Sequence, residues 1–586
     1  MGNQNSDDTS KALGLIYKII FGIFSLIMVY LTLLSLFSSC YLGIFVFDDG
    51  EVNKEHTFWV SDNLILLIAI SILVLLIISI INKRWAVPKG KFVKLIFAIF
   101  VLAVGLSFLI LTGLEPRDDQ LEVMNIAAQM RKGDFSAFMR TGYLSLCPHQ
   151  AGLTLYFYLL SFIFGVNNYF SIQVLNLFYL LGIYFLLSKL SKLIFINAKK
   201  NDNKLVETLT FISSILFLPL FFYISFVYGT LPGLFFSLLS IIFELHFISS
   251  KRIVYAIGAA ISIAIAIQLK SNYEIFFIAI LMIAVFEGIV SIKRKERVIP
   301  YVIFCIMLMV MFFIGKILVS TVLYAITGYT LGKGAPAIAY VAMGIQEGKA
   351  GPGWWNFYNL GVYVNNDFDY DKTTKEVIGD IQKQIRIFGR DFKYTAGFFI
   401  RKIASMWNNP TFEGFDILKW RISSNVNCLS NSLIYGPLSR GLTYYLNILH
   451  TLILSGVCYW IAGKNKRIEA RELVLPMIII GGFVFHLFWE AKCQYILPYF
   501  ILLLPYSAEG YQIAGEWICK HLEKFKSNKE SRKKYYVGFF IGILSVLALN
   551  GLSKTEIFHD VLSLNSNEVY YEEYLYEQKN MTYENH

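Results

Sequence analysis

Apolar segments recur along the whole 586-residue chain and constrain its fold more than any other feature. A predominantly apolar run of about 18 or more residues is long enough to cross the hydrocarbon core of a bilayer as a helix. Hydrophobic residues make up 56% of the chain and charged residues only 16%, whereas soluble domains carry about 25% charge. We therefore predict an all-α, polytopic membrane protein.

Lysine and arginine account for the net charge of +11, and they are concentrated in short connectors between the apolar runs. Basic connectors stay on the cytoplasmic side of a membrane, so their positions predict the threading of the chain. No aromatic platform accompanies the positive charge, and a nucleic-acid partner is therefore not expected. The basic connectors are 83–94, 189–204, 293–297, 464–471 and 520–534.

With these connectors inside, the chain is predicted to cross the membrane about 13 times, from a cytoplasmic N-terminus to an extracellular C-terminus. The short apolar stretch 151–165 then becomes a helix on the outer surface, because a crossing there would place the next lysine cluster outside. The predicted parts are an N-terminal pair of transmembrane helices (1–92), a membrane core (93–327) with a long external loop (114–167), a larger external loop (328–440), C-terminal transmembrane helices (441–552) and an extracellular tail (553–586).

Asp118 and Asp119 follow directly on an apolar run, at the predicted outer membrane edge. They can be solvated loop acids that end a helix. They can also supply a general base, which requires a carboxylate held near a hydroxyl group. The next stretch carries Val123, Ile126, Ala127 and Met130 at helical spacing, so it is predicted to pack an apolar face beside the pair.

Further polar residues are predicted at the same outer edge. Lys270 ends an apolar run, where a lysine either extends towards water or binds a phosphate at headgroup level. Glu490 and Lys492 lie among interface aromatics, and together they are candidates for binding a lipid-linked headgroup. His149 is a weaker candidate, because a lone histidine near an interface is more often structural. In the larger loop, Trp354 and Trp355 are candidate acceptor contacts.

The order of these motifs resembles membrane-embedded glycosyltransferases of the GT-C class, in particular the protein O-mannosyltransferase, aminoarabinose transferase and family-39-like group. Those enzymes carry an acidic pair in the first large external loop, then a helix of the form A..M..GD(W/F), a PP-type motif and a later E..(R)Y.LP..P motif. The resemblance covers about residues 93–515. The corresponding residues are Asp118-Asp119, Ala127 to Phe135, Pro148-His149, and Glu490 with Tyr495 to Pro498 and Pro505.

The resemblance implies a GT-C bundle and transfer of a sugar from a polyprenyl phosphate to an acceptor hydroxyl, with inversion at the anomeric carbon. Asp118 would accept the hydroxyl proton, and Asp119 would orient it or the acceptor. Lys270, Lys492 and Arg117 would stabilise the departing phosphate. His149, Glu490, Gln494, Tyr495, Trp354 and Trp355 would form the substrate-binding surface.

The chain departs from the family at three places. Leu146-Cys147 replaces an acid–lysine pair, Gln494 replaces an arginine, and the loop Tyr228 to Gly233 carries no acid. Oligosaccharyl transferases of the class use acids in that loop to bind a divalent metal. We therefore expect a metal-independent enzyme without a cofactor.

The predicted substrates are a polyprenyl-phosphate-linked sugar and a cell-wall polysaccharide, teichoic acid, glycolipid or protein acceptor outside the cell membrane. The main alternative is a lipid-linked oligosaccharide flippase or polymerase, which would also have many spans and a large outer loop. A small-solute transporter is a third possibility, but the repeated broken helices typical of one are not evident.

Overall fold

The computed structural model describes residues 2–46, 52–84, 90–195, 202–348, 350–415, 437–464, 468–527, 529–552 and 554–555. Within these ranges nearly all regular structure is helical, as predicted. Of the predicted tail 553–586, only Lys554 and Thr555 lie in the described part of the chain.

The N-terminal half contains one β-hairpin and a series of helices. They are α1 Gly2–Phe37, β1 Ser38–Val46, β2 Val52–Ser61, α2 Leu64–Arg84, α3 Gly90–Thr112, α4 Asp119–Arg131, α5 Tyr143–Leu146, α6 Ala151–Phe164, α7 Tyr169–Ile194, α8 Asp202–Leu216, α9 Leu218–Phe222, α10 Thr230–Ser250, α11 Ile253–Leu269, α12 Glu274–Lys293 and α13 Ile299–Thr327.

The C-terminal half begins with shorter helices and then returns to long ones. They are α14 Ala337–Gly344, α15 Tyr358–Asn365, α16 Tyr370–Arg390, α17 Phe392–Trp407, α18 Pro437–Gly463, α19 Ala470–Phe488, α20 Leu497–Phe500, α21 Leu504–Ser527 and α22 Lys529–Leu552.

Nine of the described helices are long and apolar enough to cross a membrane, and a tenth span results if α8 and α9, bent by 56° at their junction, are taken together. This confirms a multi-pass membrane architecture. The predicted number of about 13 is larger because of three segments. Helix α11 is apolar but has only 17 residues. The predicted span 495–513 is divided between short helical turns and the start of α21, and in α22 the apolar helix found among the described residues is Gly542–Leu552.

A β-hairpin separates the first two candidate spans, where the sequence predicted only a helix pair. Strands β1 and β2 are antiparallel, and the hairpin packs against the larger loop. Cys40 N donates to Asn408 O at 3.0 Å, and Thr57 N donates to Ala350 O at 3.0 Å. The side chain of Asn408 in turn donates to Ser38 O at 2.6 Å. The hairpin is therefore fixed to the segment that follows α17.

The buried core of the bundle is built from long apolar helices, and α10 and α11 show why they approach closely. Small residues face the neighbouring helix: Ser240 donates to the carbonyl of Ala259 at 2.8 Å, and Gly258 lies against the ring of Phe243. Such small residues allow membrane helices to pack at short range. The loops at one end of this rigid bundle carry the candidate site.

Candidate functional site

Helix α4 places the acidic pair. The predicted apolar face is confirmed, because Val123, Ile126, Ala127 and Met130 are all buried. Asp118 precedes the helix with φ 51° and ψ −136°, a backbone conformation that residues with a Cβ seldom adopt. The chain turns sharply there, and Asp119 becomes the first helical residue.

Asp119 is the acid that contacts the rest of the site. Its Oδ1 accepts a hydrogen bond from the hydroxyl of Tyr143 at 2.9 Å. Burial, reinforced by the charge of Asp119, raises the pKa of Tyr143 and also raises the pKa of Cys147 to about 12. Both groups therefore stay protonated at neutral pH, and Tyr143 can donate to the carboxylate. Asp119 itself is exposed, so its carboxylate is accessible from solvent.

Lys270 lies in the connection between α11 and the next candidate span. It is only 9% exposed, and its Nζ donates to the hydroxyl of Thr230 at 3.1 Å. The ammonium lies 5.5 Å from the ring centroids of both Tyr228 and Tyr495. Burial lowers its pKa to about 8, an effect that the charges of Glu413 and Asp119 partly oppose. Within the described ranges no carboxylate forms an ion pair with Lys270.

The segment after α19 brings the second pair of predicted charges to the same place. Glu490 is 8% exposed and accepts a hydrogen bond from the hydroxyl of Tyr495 at 3.4 Å. Burial raises the pKa of Glu490 to about 7, although the charge of Lys492 opposes this rise. The carboxylate of Asp119 also acts electrostatically on Glu490, which links the segment to α4.

Lys492 is held between two carboxylates from distant parts of the chain. Its Nζ lies 3.3 Å from Glu55 on β2 and 4.0 Å from Glu413 in the segment after α17. Burial disfavours its charged form, but the carboxylates of Glu55, Glu413 and Glu490 outweigh this and hold the pKa of Lys492 well above its usual value. We refer to Asp119, Lys270, Glu490 and Lys492 as the charged cluster.

The larger loop supports the charged cluster through Lys402 of α17. Its buried ammonium donates to the carbonyls of Gly344 and, at 2.7 Å, of Trp489, the residue before Glu490. Ala491 N donates to Gly353 O at 2.7 Å. The turn that carries Glu490 and Lys492 is thus fixed on both sides.

The other predicted site residues do not belong to the charged cluster. Trp354 is fully buried, and it donates to Ser405 Oγ at 2.9 Å. Trp355 is 47% exposed. Gln494 uses its main-chain N–H to donate to Glu413 at 3.4 Å. Arg117 accepts from Gln120 N through its carbonyl, in the turn before α4.

His149 and Asp118 complete the predicted set. The exposed His149 ring packs edge-on to Tyr340 at 6.4 Å, and Tyr340 stacks on Trp489 at 5.1 Å, so the histidine borders the site through aromatic contacts. Asp118 is exposed and lies at the N-cap position, directly before α4. The sequence assigned the base to Asp118, whereas the contacts of the cluster converge on Asp119.

Sequence reasoning missed Glu55, Glu413, Tyr143, Tyr228 and Lys402. Each reaches the site through a tertiary contact with a part of the chain far away in sequence, and no local spacing indicates it. Among these residues, Glu55 has the clearest indication in the sequence, because Lys54 and Glu55 precede a run of strand-forming residues between two apolar spans. No group of three or more His, Cys, Asp or Glu side chains within the described ranges is arranged to hold a metal ion.

No family model, curated protein or solved structure matches the chain. Interpretation of the site therefore depends on its geometry.

Proposed function

We propose that the protein is an inverting glycosyltransferase that moves a sugar from a polyprenyl phosphate to a hydroxyl of a cell-envelope acceptor. The observation that carries this proposal is that two unlike groups lie near each other. One is the buried ammonium of Lys270, which has no ion-pair partner in the described chain. The other is the exposed carboxylate of Asp119, which acts electrostatically on Lys270. A phosphate would supply the missing anion, and a hydroxyl would supply a proton to the carboxylate.

In the proposed reaction, Asp119 accepts the proton of the acceptor hydroxyl while the hydroxyl oxygen attacks the anomeric carbon. The bond from that carbon to the phosphate oxygen breaks on the opposite face, and its electron pair leaves with the polyprenyl phosphate. The hydrogen bond from Tyr143 orients Asp119. Roles within the acidic pair are thus exchanged relative to the sequence prediction.

Lys270 stabilises the charge that develops on the departing phosphate, because its ammonium is buried and already oriented by Thr230. Lys492 contributes less, since Glu55 and Glu413 already compensate its charge. Helix α12 begins just after Lys270 and is a candidate span, so a phosphate bound there lies at the end of a membrane helix. The isoprenoid chain of the donor can then stay in the lipid.

The proposal includes the finer topology predicted from the charges: a GT-C-type bundle of about 13 spans, a cytoplasmic N-terminus, an extracellular C-terminus and the charged cluster on the outer face. The asymmetric distribution of basic connectors supports it. Cysteine accessibility at the two termini and at Asp134 in intact cells measures this orientation directly.

The test of function uses purified full-length protein in nanodiscs, a panel of radiolabelled polyprenyl-phosphate sugars and a crude envelope acceptor. We expect transfer from one donor, with a product whose anomeric configuration is inverted relative to that donor. Retention of configuration would contradict the proposed chemistry. Failure to transfer from any donor, together with movement of a lipid-linked oligosaccharide across a vesicle membrane, would support the flippase instead.

A further inference from the structure

A polar cleft lies beside the charged cluster and is not used by the proposed chemistry. Its volume is about 580 Å³, within the range of about 300–1,000 Å³ that small-molecule pockets occupy. The walls come from β2, from the loop before Trp354 and from the start of α17. We call this space the hairpin cleft. Its described lining residues are His56, Thr57, Trp59, Glu347, Gly348, Ala350, Gly351, Pro352, Asp391, Lys393, Tyr394, Gly397 and Arg401.

The charges of the described residues that line the hairpin cleft are balanced. Glu347 and Arg401 form an ion pair at 2.9 Å, and Asp391 and Lys393 supply a further acid and base. The Asp391 carboxylate also accepts from Tyr394 N at 2.9 Å. Among the described lining residues the formal charges therefore cancel, so the lining does not select strongly for an anion or a cation. It offers hydrogen-bond donors and acceptors instead.

The floor of the cleft is a rigid glycine-rich turn. The N–H and the hydroxyl of Thr57 both donate to Ala350 O, at 3.0 Å and 2.6 Å. Gly353 has φ +75°, and a Cβ there would lie 2.5 Å from Gly344 O. A side chain is thus excluded at that position, which adjoins the lining residue Pro352. A floor fixed in this way loses little entropy when it binds a ligand.

The hairpin cleft and the charged cluster share two structural walls. His56 lines the cleft, and the residue before it on β2, Glu55, pairs with Lys492. Pro352 also lines the cleft, and the adjoining Gly353 accepts from Ala491, which lies between Glu490 and Lys492. A molecule in the cleft is therefore separated from the cluster only by one strand and one turn.

We infer that the hairpin cleft binds the acceptor, and that the acceptor segment held there is an uncharged saccharide chain. The half-buried ring of Tyr394, paired donors and acceptors, and charges that cancel among the described lining residues are the features that a hydroxyl-rich sugar uses. An anionic polymer would gain no net attraction from this lining, because Glu347 and Asp391 offset Arg401 and Lys393. This inference rests on the proposed transferase function and names the substrate class of that same site.

The first experiment measures binding of end-labelled, short, neutral oligosaccharides of glucose, mannose and N-acetylglucosamine to the full-length protein in nanodiscs. We expect at least one to bind, and Arg401→Gln and Tyr394→Ala each to weaken it by about tenfold or more. Lys383→Gln is the matched control: it also removes the cation of an ion pair, with Asp380 at 2.8 Å, but on α16 outside the cleft. That variant should bind as the wild type does.

Three results would overturn the inference: no oligosaccharide binds, the cleft variants bind as tightly as wild type, or poly(glycerol phosphate) binds in preference to every neutral sugar. Thermal unfolding of each variant verifies that the fold is retained, and Lys393→Gln, at an exposed position, serves if Arg401→Gln is unstable. Saccharide binding that depends on Arg401, with no transfer from any donor, would reject the transferase and leave the saccharide site established.

Discussion

Two buried carboxylates near opposite ends of the molecule differ in their surroundings. Glu490 accepts from a tyrosine hydroxyl and has Lys492 nearby, in a turn fixed by Lys402. Glu244, on α10, is fully buried, and neither of its carboxylate oxygens has a hydrogen-bond partner in the described structure. It lies about 20 Å along the helix from Thr230, which holds Lys270. Its electrostatic neighbour is another acid, Glu287.

The difference shows what distinguishes a candidate site from an isolated buried acid. Burial alone makes a carboxylate costly, and an uncompensated one is better off protonated. At the charged cluster, acids and ammonium groups are mixed and each is oriented by a named donor or acceptor. That arrangement can hold charge, whereas the described structure shows no hydrogen-bond donor to Glu244 and its electrostatic neighbour is an acid. The following predictions test this contrast.

Lys492→Met should produce the largest loss of stability. It leaves Glu55 and the buried Glu413 facing each other without their cation, and the loss of one partner from a buried pair costs about 3 kcal/mol. Thermal or denaturant unfolding in detergent measures this. Lys383→Met, which removes an exposed pair, should cost less than about 0.5 kcal/mol. Equal losses of stability in the two variants would contradict the prediction that the ion pairs of Lys492 stabilise the fold more than an exposed pair does.

Lys402→Met should cost about 2 kcal/mol, because the carbonyls of Gly344 and Trp489 lose a buried donor. Since Trp489 precedes Glu490, we also expect lower sugar transfer through a misplaced turn. Lys402→Arg tests whether a cation alone suffices: partial recovery of stability and of transfer together supports a positioning role. Full transfer in Lys402→Met would show that the turn does not need this support.

Donor binding should weaken as the pH rises above about 8. Lys270 is protonated below its pKa of about 8 and neutral above it, and only the ammonium attracts a phosphate. Bound phosphate raises that pKa further, so the donor dissociation constant should rise by up to about tenfold per pH unit above 8. In Lys270→Arg the guanidinium stays charged, and this rise should disappear. A wild-type profile that is flat to pH 9.5 would exclude Lys270 as the phosphate ligand.

Glu244→Gln should have the smallest effect. The substitution keeps the size of the side chain, and no hydrogen bond to its oxygens is described. Stability should change by less than about 1 kcal/mol and sugar transfer by less than about twofold. Glu490→Gln is the matched variant, and it should reduce sugar transfer more than Glu244→Gln does. A large loss of transfer in Glu244→Gln would show that the two carboxylates do not differ in the way proposed.

The sequence indicated the features that depend on local periodicity. Long apolar runs predicted the helical membrane architecture, and the spacing of Val123, Ile126, Ala127 and Met130 predicted the buried face of α4. Both follow from the 3.6-residue repeat of a helix. The position of Lys270 at the end of an apolar helix was also evident.

The remaining features depend on contacts between distant segments. Ser38–Val46 continues the apolar run of α1, so its pairing with β2 was not evident from composition. The partners of Lys492 come from residues 55 and 413, and only tertiary packing brings them together. Trp354 and Trp355 are adjacent in the sequence, and nothing local distinguishes them. In the structure Trp354 is buried and donates to Ser405, whereas Trp355 is exposed.

The most direct test of the central claim compares Asp119→Asn with Asp118→Gly in single-turnover sugar transfer, with donor binding measured on the same preparations. Glycine tolerates the φ of 51° at position 118, so Asp118→Gly removes that carboxylate while keeping the backbone conformation at the start of α4 accessible. We predict that Asp119→Asn slows transfer by about 10²- to 10⁴-fold with unchanged donor affinity, while Asp118→Gly stays within about tenfold of wild type. Equal loss in both variants, or full activity in Asp119→Asn, would contradict the assignment of Asp119 as the base.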